Sequence, residues 1–414
     1  MNPFRSFLFL TLISAAPLAV ADTIEFDDSE DTDIRALKEW IDTKRQISLK
    51  EVGGDLSLSG EVRTEFQATW EEKDGQNQFV RDKGKPARGF DIEFNLMLDY
   101  RTERTWASVK LEFDDSAGVF SGSFNNISLE RAYWGARAVD GDDLTFDIEV
   151  GRRSMSSIFD SRVQFGSIFD GILLRYNHAF EKVGDFYIHA GPFVVNENRD
   201  HFGYIGELGL LNIAGTGFYT KLSFIDWATK TYPSKLVTRR FDFINSQLTA
   251  GYRFKVQSIK KIGIIYSGFV WNWKAKRRKI TNQQRENWAV YAGMSMGQLL
   301  KQWDWAFDLN YQAVGAQAVP DFDAAGLGMG ITSKNGFLVQ NVSALGDYEN
   351  KPTPNTINTA GGNVNFHGFA ISFDLLLTDK LDMQQRYVHT WRLNNQIGPD
   401  RSFAQYELEF IYSW

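Results

Sequence analysis

Long runs in which apolar and polar residues alternate strictly are the feature of this sequence that most limits its fold. The last nine residues, YELEFIYSW, have a polar face that includes Glu407 and Glu409. Their other face is apolar and carries Tyr406, Leu408, Phe410, Tyr412 and Trp414. Similar runs occupy 55–70, 90–101, 144–152, 303–312 and 381–393. Alternation with period two indicates strands whose two faces meet different media.

The length of these runs and the spacing between them indicate a membrane barrel. Several runs exceed the usual soluble strand and match the length that crosses a bilayer at a tilt. Short connections such as 101–104, 333–336 and 378–380 alternate with long polar ones such as 71–88 and 152–168. The sequence therefore predicts an all-β chain that forms a transmembrane, antiparallel, up-and-down β-barrel of about eighteen strands. Weaker runs in the middle of the chain, such as 326–331, leave sixteen strands possible. Closure is expected because an open sheet edge in hydrocarbon would leave backbone N–H and C=O groups unpaired.

The N-terminal region differs in composition from the alternating runs. Residues 1–21 have a basic start, an apolar centre and small residues at Ala19 and Ala21, which is typical of a cleaved secretory signal peptide. Residues 22–54 predict an acidic tail and a short periplasmic helix, and the barrel is expected to occupy 55–414. The expected destination is the bacterial outer membrane.

Composition argues against several classes of function. The net charge of −7 does not favour nucleic acid as a partner. The absence of Cys excludes disulfides and thiolate metal sites, and none of the five His residues stands in a metal-ligand spacing. We therefore expect no cofactor and no enzymatic activity. An outer-membrane enzyme or adhesin barrel is kept as the alternative of another class.

A barrel of sixteen to eighteen strands is too wide for its inward side chains to fill, so it encloses an aqueous channel. Residues on the polar faces are then the functional candidates, and acids outnumber bases on the early strands. Arg63 lies on the first strand, and Arg386 and Arg392 are expected across from Glu407 and Glu409. Charges of both signs on such a wall can select solutes by charge and dipole.

Residues 149–176 contain the most distinctive local pattern. A regular strand with Glu149 leads through Arg153 into a polar segment that carries Asp160 and Arg162. This segment could stand outside the barrel or fold inward as a constriction. Guanidinium groups supply bidentate donors, so an anion-preferring or saccharide-binding constriction is one interpretation.

The arrangement of Gly151, Arg152 and Arg153 before the FDG of residues 169–171 resembles that of the alginate-export and related putative porin families. The resemblance covers roughly residues 127–176, and this chain has Arg153 where the family usually has Gln. The C-terminal part is also similar to porin-like proteins of chlamydia-related bacteria. The resemblance implies an eighteen-stranded channel whose pore is lined by arginines.

These observations together predict an outer-membrane porin for passive diffusion of small hydrophilic solutes. A specific channel or exporter for an acidic polysaccharide or anionic sugar is the alternative. Expected partners are outer-membrane lipids, lipopolysaccharide at the basic segment 274–285, and the barrel-assembly machinery, which would recognise the terminal aromatic pattern ending at Trp414. The barrel is expected to be a monomer or a homotrimer.

Overall fold

The computed structural model describes residues 47–51, 54–77, 87–116, 127–196, 201–227, 243–277, 281–320, 323–328 and 364–414. The predicted signal peptide, acidic tail and N-terminal helix lie outside these ranges, as does the predicted short turn at 333–336. Within the described ranges, no helix combines the length and the apolar character needed to cross a membrane.

Strands make up nearly all of the regular structure. Their bounds are β1 Ile47–Glu51, β2 Gly54–Lys73, β3 Gln76–Asn77, β4 Ala87–Arg101, β5 Thr105–Ser116, β6 Ile127–Asp140, β7 Leu144–Ser154, β8 Ile168–Phe180, β9 Gly184–Asn196, β10 His201–Leu211, β11 Phe218–Asp226, β12 Ile244–Val256, β13 Lys261–Asn272, β14 Trp288–Gly297, β15 Trp305–Val314, β16 Phe366–Thr378, β17 Leu381–Arg392 and β18 Arg401–Ser413. Short 3-10 turns occur in the connections at Met155–Ser157 and Ile213–Gly215.

Sixteen of these strands form a closed antiparallel barrel. Each strand from β4 to β18 pairs with its neighbours in chain order, β4 pairs with β2, and β18 pairs with β2 along Glu61–Lys73 to close the ring. The two-residue β3 only extends a hairpin from the end of β2. The predicted all-β, antiparallel barrel is confirmed, with a strand count at the lower end of the expected range.

The extra strand β1 covers an edge that closure leaves open. β18 ends at Ser413, opposite Glu61, so the first residues of β2 have no partner from β18. β1 pairs with this stretch, from Ile47 opposite Leu58 to Glu51 opposite Gly54. The residues Asp55–Leu58 thereby have a partner strand on both sides, because β4 lies along the other edge.

The two rims of the barrel differ in the length of their connections. We call the end that carries the turns 102–104, 141–143, 181–183, 212–217, 257–260, 298–304 and 379–380 the short-turn rim. The connections at the opposite end, the long-loop rim, are mostly longer and include 155–167 and 315–365. The predicted alternation of short and long connections is therefore confirmed for the described strands.

The barrel wall has one apolar and one polar face. Large apolar side chains point outward and are exposed, among them Phe66, Phe90, Ile172, Leu208, Leu248, Ile265 and Phe410. Outward aromatic groups gather near both ends of the strands. His389 stacks on Trp391 at 4.0 Å between ring centroids near the long-loop rim, and Phe218 lies 4.5 Å from Tyr252 near the short-turn rim.

Two segments from the long-loop rim fold inside the barrel. The first comprises residues 155–167, and the second comprises residues 315–320 and 323–328. They pack together against the inner face of β8–β16, where Phe159, Phe165, Val319 and Phe366 belong to one buried apolar cluster. The expected eighteen strands included one at 326–331, but residues 326–328 are not a strand and belong to this inner layer. Leu327 packs against the buried apolar cluster instead.

Candidate functional site

The segment 155–167, which we call the inner loop, is held across the lumen by polar side chains of the wall. Asp160 Oδ2 lies 3.0 Å from Lys221 Nζ, and its backbone N–H donates to Glu207 Oε2 at 3.0 Å. Gln247 donates to the carbonyl of Asp160. Because these wall residues lie on β10, β11 and β12, the inner loop is fixed at several points rather than by one contact. Of the two arrangements left open by the sequence, the inward one is present.

Arg162 is the exposed cation of the inner loop. Its side chain is 45% exposed, its Nη2 lies 3.1 Å from Asp308 Oδ2, and its guanidinium carbon lies 4.8 Å from the centroid of the Tyr266 ring. Burial acts to lower the pKa of Arg162, but nearby acidic groups, Asp308 and Asp160 among them, act in the opposite direction and the pKa is raised. Arg162 therefore stays charged inside the barrel and narrows the lumen from the side of β13 and β15.

Asp323 joins the two infolded segments. Its carboxylate accepts the backbone N–H of Phe165 at 3.1 Å and of Ser167 at 3.2 Å, and its carbonyl accepts the N–H of Gly166 at 2.9 Å. Phe165 has a φ of 72°, which is unusual for a bulky residue and is compensated by these bonds. Complete burial raises the pKa of Asp323 to about 7, although the donated bonds oppose this rise.

Glu149 and Arg153 form a buried ion pair where β7 enters the inner loop. Arg153 Nη1 donates to Glu149 Oε2 at 2.7 Å, and the two side chains are 6% and 3% exposed. Glu149 Oε1 also accepts from Arg175 Nη1 at 3.1 Å and from Trp106 Nε1 at 3.3 Å. Arg153 thus holds the base of the inner loop to the wall, and its burial does not favour direct contact with a solute.

The opposite side of the lumen centres on Arg63 of β2. Arg63 donates to Glu61 Oε1 from both Nε and Nη2, at 2.9 and 2.6 Å. Its guanidinium also lies 3.5 Å from Glu409 and 3.7 Å from Glu93. One base is therefore shared by three carboxylates from β2, β4 and β18.

The pairing expected for the last two strands is found for one arginine. Arg386 lies opposite Glu407 in the register, and their side chains are 3.4 Å apart. Glu409 faces Gln384 instead, and Arg392 lies near the long-loop rim, where it pairs with Asp400 at 3.1 Å. The expectation that Arg392 faces Glu409 was therefore wrong. Arg392 is the last residue of β17, next to the loop 393–400, whereas Glu409 faces Gln384 further along that strand.

The terminal aromatic residues lie on the outer face. Phe410 and Tyr412 are 37% and 47% exposed. The backbone of Trp414 exchanges two hydrogen bonds with Gly60, at 3.0 and 3.2 Å, and its indole covers that glycine. The role of these residues as an assembly signal stays a prediction.

Several residues that position the inner loop were missed by the sequence reasoning. Asp323, Lys221, Asp308 and Glu207 contact the inner loop, although they are distant from it in the chain. Lys221 and Glu207 lie on strands in which polar and apolar residues alternate. Their inward orientation could therefore have been inferred, but their partners could not. Asp323 lies in a connection and gave no signal.

Within the described part of the chain, no group of three or more His, Asp or Glu side chains is arranged to hold a metal ion.

Solved structures with the same fold are known, although their sequences differ widely from this one. OprB of Pseudomonas putida superposes with a TM-score of 0.53 at 10% identity, covering 87% of this chain and 94% of its own. OmpF of Salmonella typhi, in complex with daunomycin, superposes with a TM-score of 0.50 at 11% identity, covering 89% of this chain and 100% of its own. Both are outer-membrane porins.

No protein-family model and no curated protein sequence matches this chain. The expected resemblances to the alginate-export families and to porin-like proteins of chlamydia-related bacteria therefore find no support. What the solved structures establish is the architecture, and the chain has a porin-like barrel fold.

Proposed function

We propose that this protein is an outer-membrane porin through which small hydrophilic solutes diffuse passively. The observation that carries the proposal is the polarity of the closed wall, which is apolar outside and charged inside. Such a barrel satisfies all of its backbone groups without water on its outer surface, as a membrane requires. A soluble barrel would have its polar residues outside.

The position in a membrane is supported by the two outward aromatic groups. Tyr and Trp are enriched where membrane barrels meet the lipid headgroups, and the groups around Trp391 and Tyr252 lie near opposite strand ends. A band of apolar outward residues separates them. This arrangement matches the girdles that flank the hydrocarbon layer.

Passage of solutes is supported by the exposure of inward side chains. Arg386 is 45% exposed and Arg63 30% exposed, although both point into the barrel. Water therefore reaches the inner wall along β2 and β17. The inner loop narrows this space and does not fill it, which favours a channel over a sealed structural barrel or an enzyme site.

An exporter for an acidic polysaccharide is less favoured. The side of the lumen opposite the inner loop has four carboxylates close together on the adjacent strands β2 and β4, namely Glu61, Glu65, Asp91 and Glu93. A polyanion would be repelled by such a wall. An adhesin or enzyme barrel has no observation in its favour among the described residues.

Conductance in planar lipid bilayers tests the proposal directly. The full-length protein, folded as judged by heat-modifiable migration in gels, is expected to produce discrete conductance steps. Arg162→Ala should increase the step size because it removes a side chain that narrows the lumen. Arg104→Ala, which removes an arginine from the exposed turn 102–104, should leave the step size unchanged and serves as the matched control.

Liposome swelling measures the passage of uncharged solutes. Small neutral sugars should enter vesicles that contain the protein, at rates that fall as sugar size increases. A correctly folded and inserted barrel that gave neither conductance nor sugar entry would contradict the channel proposal.

A further inference from the structure

The infolded segments divide the lumen into a filled and an open side. Beneath them, Gln247 of β12 and Gln312 of β15 are 0% and 2% exposed. Across the lumen, the side chains of Glu93 on β4 and Arg386 on β17 are 26% and 45% exposed. The path left for solutes therefore runs along the inner face of β17, β18, β2, β4 and β5.

The strand register places three carboxylates side by side on this open face. Glu409 of β18 lies opposite Glu65 of β2, and Glu65 lies opposite Asp91 of β4. Like charges that face each other directly on adjacent strands lower the stability of a sheet. We call Glu409, Glu65 and Asp91 the acidic row. Because the row lowers the stability of the barrel, the need to fold does not explain it.

The neighbouring row contains the base nearest to these acids. Arg63 lies opposite Glu93, and Glu93 lies opposite Asp114. Since Arg63 already donates two bonds to Glu61, it lies only at the limit of bonding distance from Glu409. One guanidinium does not balance the carboxylates that surround it, and negative charge remains in excess.

Two buried acceptors on the same face have no donor. One is Oε1 of Glu65, and the other is Oδ1 of Asn95, a residue that is 0% exposed. The orientation of the Asn95 amide is fixed because its Nδ2 donates to Glu61 at 2.8 Å and to Glu93. These two acceptors lie on β2 and β4, the strands that carry Glu65 and Asp91 of the acidic row.

We propose that the open face around the acidic row makes the channel selective for cations, including small organic amines. This inference rests on the channel function proposed above. A water-filled cleft lined by charges of one sign in low-dielectric walls concentrates the counter-ions, and charged side chains set the selectivity of aqueous pores. Selection acts through the field and not through a fixed site, because the described carboxylates form no group suited to hold a metal ion. The anion preference suggested by the arginines is not retained, since Arg153 is buried against Glu149 and Arg162 faces Asp308.

The reversal potential in a KCl gradient tests this proposal on the full-length protein in planar bilayers. The wild type should favour potassium over chloride. The triple variant Glu65→Gln, Asp91→Asn, Glu409→Gln should lose most of that preference while still conducting. A control that removes three exposed carboxylates from short turns, Glu103→Gln, Asp142→Asn, Glu181→Gln, changes the net charge equally and should keep the preference.

A second variant acts in the opposite direction. Arg63→Gln removes the arginine nearest to the acidic row, so the preference for potassium should increase. Vesicles loaded with a pH indicator would report the entry of small amines, which should be faster through the wild type than through the triple variant.

The outcomes separate the two proposals. A conducting wild type with no cation preference, or a triple variant with unchanged preference, would overturn the cation selectivity and leave the channel intact. A folded wild type without conductance would overturn the channel itself. Removal of facing like charges should also raise the thermal stability of the triple variant, so misfolding is not the expected cause of its lost selectivity.

Discussion

The indole of Trp414 lies directly over Gly60 on the outer face of the barrel, where the last residue of the chain exchanges two backbone hydrogen bonds with the first barrel strand. A Cβ added to Gly60 would lie 2.6 Å from Cζ2 of that indole. The glycine therefore provides the room in which the end of β18 is fastened to β2.

Gly60→Ala is expected to weaken this closure. The methyl group must displace the indole, and crowding of this kind costs about 1–3 kcal/mol in folding free energy. The temperature at which the folded form disappears in heat-modifiability gels should fall. Gly89→Ala is the matched control on the adjacent strand, because its Cβ would meet no atom closer than 3.8 Å and should leave that temperature nearly unchanged. Equal losses in the two variants would show that the contact with Trp414 is not responsible.

Deletion of Trp414 should impair insertion into the outer membrane more than export. The indole and both backbone bonds to Gly60 are lost, and with them the proposed assembly signal. Cell fractionation should find the exported but unfolded chain in the periplasm, and a small amount of heat-modifiable barrel in the membrane. Normal membrane levels of folded protein in this variant would contradict the prediction.

Glu149→Gln is expected to destabilise the barrel by about 3 kcal/mol or more, because it removes the carboxylate from the buried ion pair with Arg153. The matched control is Glu407→Gln, whose partner Arg386 is 45% exposed, and exposed pairs contribute about 1 kcal/mol or less. Denaturant unfolding followed by tryptophan fluorescence measures both free energies. A loss at Glu149 no larger than at Glu407 would argue against a structural role for the buried pair.

The pH dependence of stability should report on Asp323. Its pKa of about 7 in the folded protein lies above the ordinary value of 3.8, so the folded state binds the proton more tightly than the unfolded state. The resulting stability is fully present below about 3.8 and is lost as pH rises towards about 7. Unfolding temperatures measured across this window should therefore fall more steeply in the wild type than in Asp323→Asn.

The asparagine variant keeps one oxygen to accept from Phe165 or Ser167, and its overall stability is expected to be lower. What tests the assignment is the slope against pH and not the absolute stability. Glu181→Gln, at an exposed short turn, serves as the control and should keep the wild-type slope. If Asp323→Asn kept it as well, the titration would belong to another group.

Much of the wall could be read from the sequence because the alternation of a strand is a local property. It assigned Glu407 and Arg63 to the lumen and Phe410 to the outer surface, and the short turns gave the direction of each strand. The spacing of the last two strands also predicted that Arg386 lies opposite Glu407 in the register. Each of these inferences needs only neighbours along one strand or hairpin.

The interior of the barrel could not be read in this way, because its contacts join distant parts of the chain. Asp323 meets Phe165 across a separation of 158 residues, and Arg162 meets Asp308 across 146. Arg153 was expected to face solute because nothing in its local sequence reveals how deeply Glu149 is buried. Residues 326–328 alternate like a strand but belong to the inner layer, so one of the eighteen expected strands is not formed there.

The seam between β18 and β2 also determines when the barrel can form. Arg63 and Glu409 approach each other across 346 residues of chain, so this contact is among the last that synthesis makes available. Until β18 arrives, β2 and β17 each present an unpaired edge to any other strand nearby. The ring can therefore close only after β18 is available, and until then both edges are open to pairing with the wrong strand.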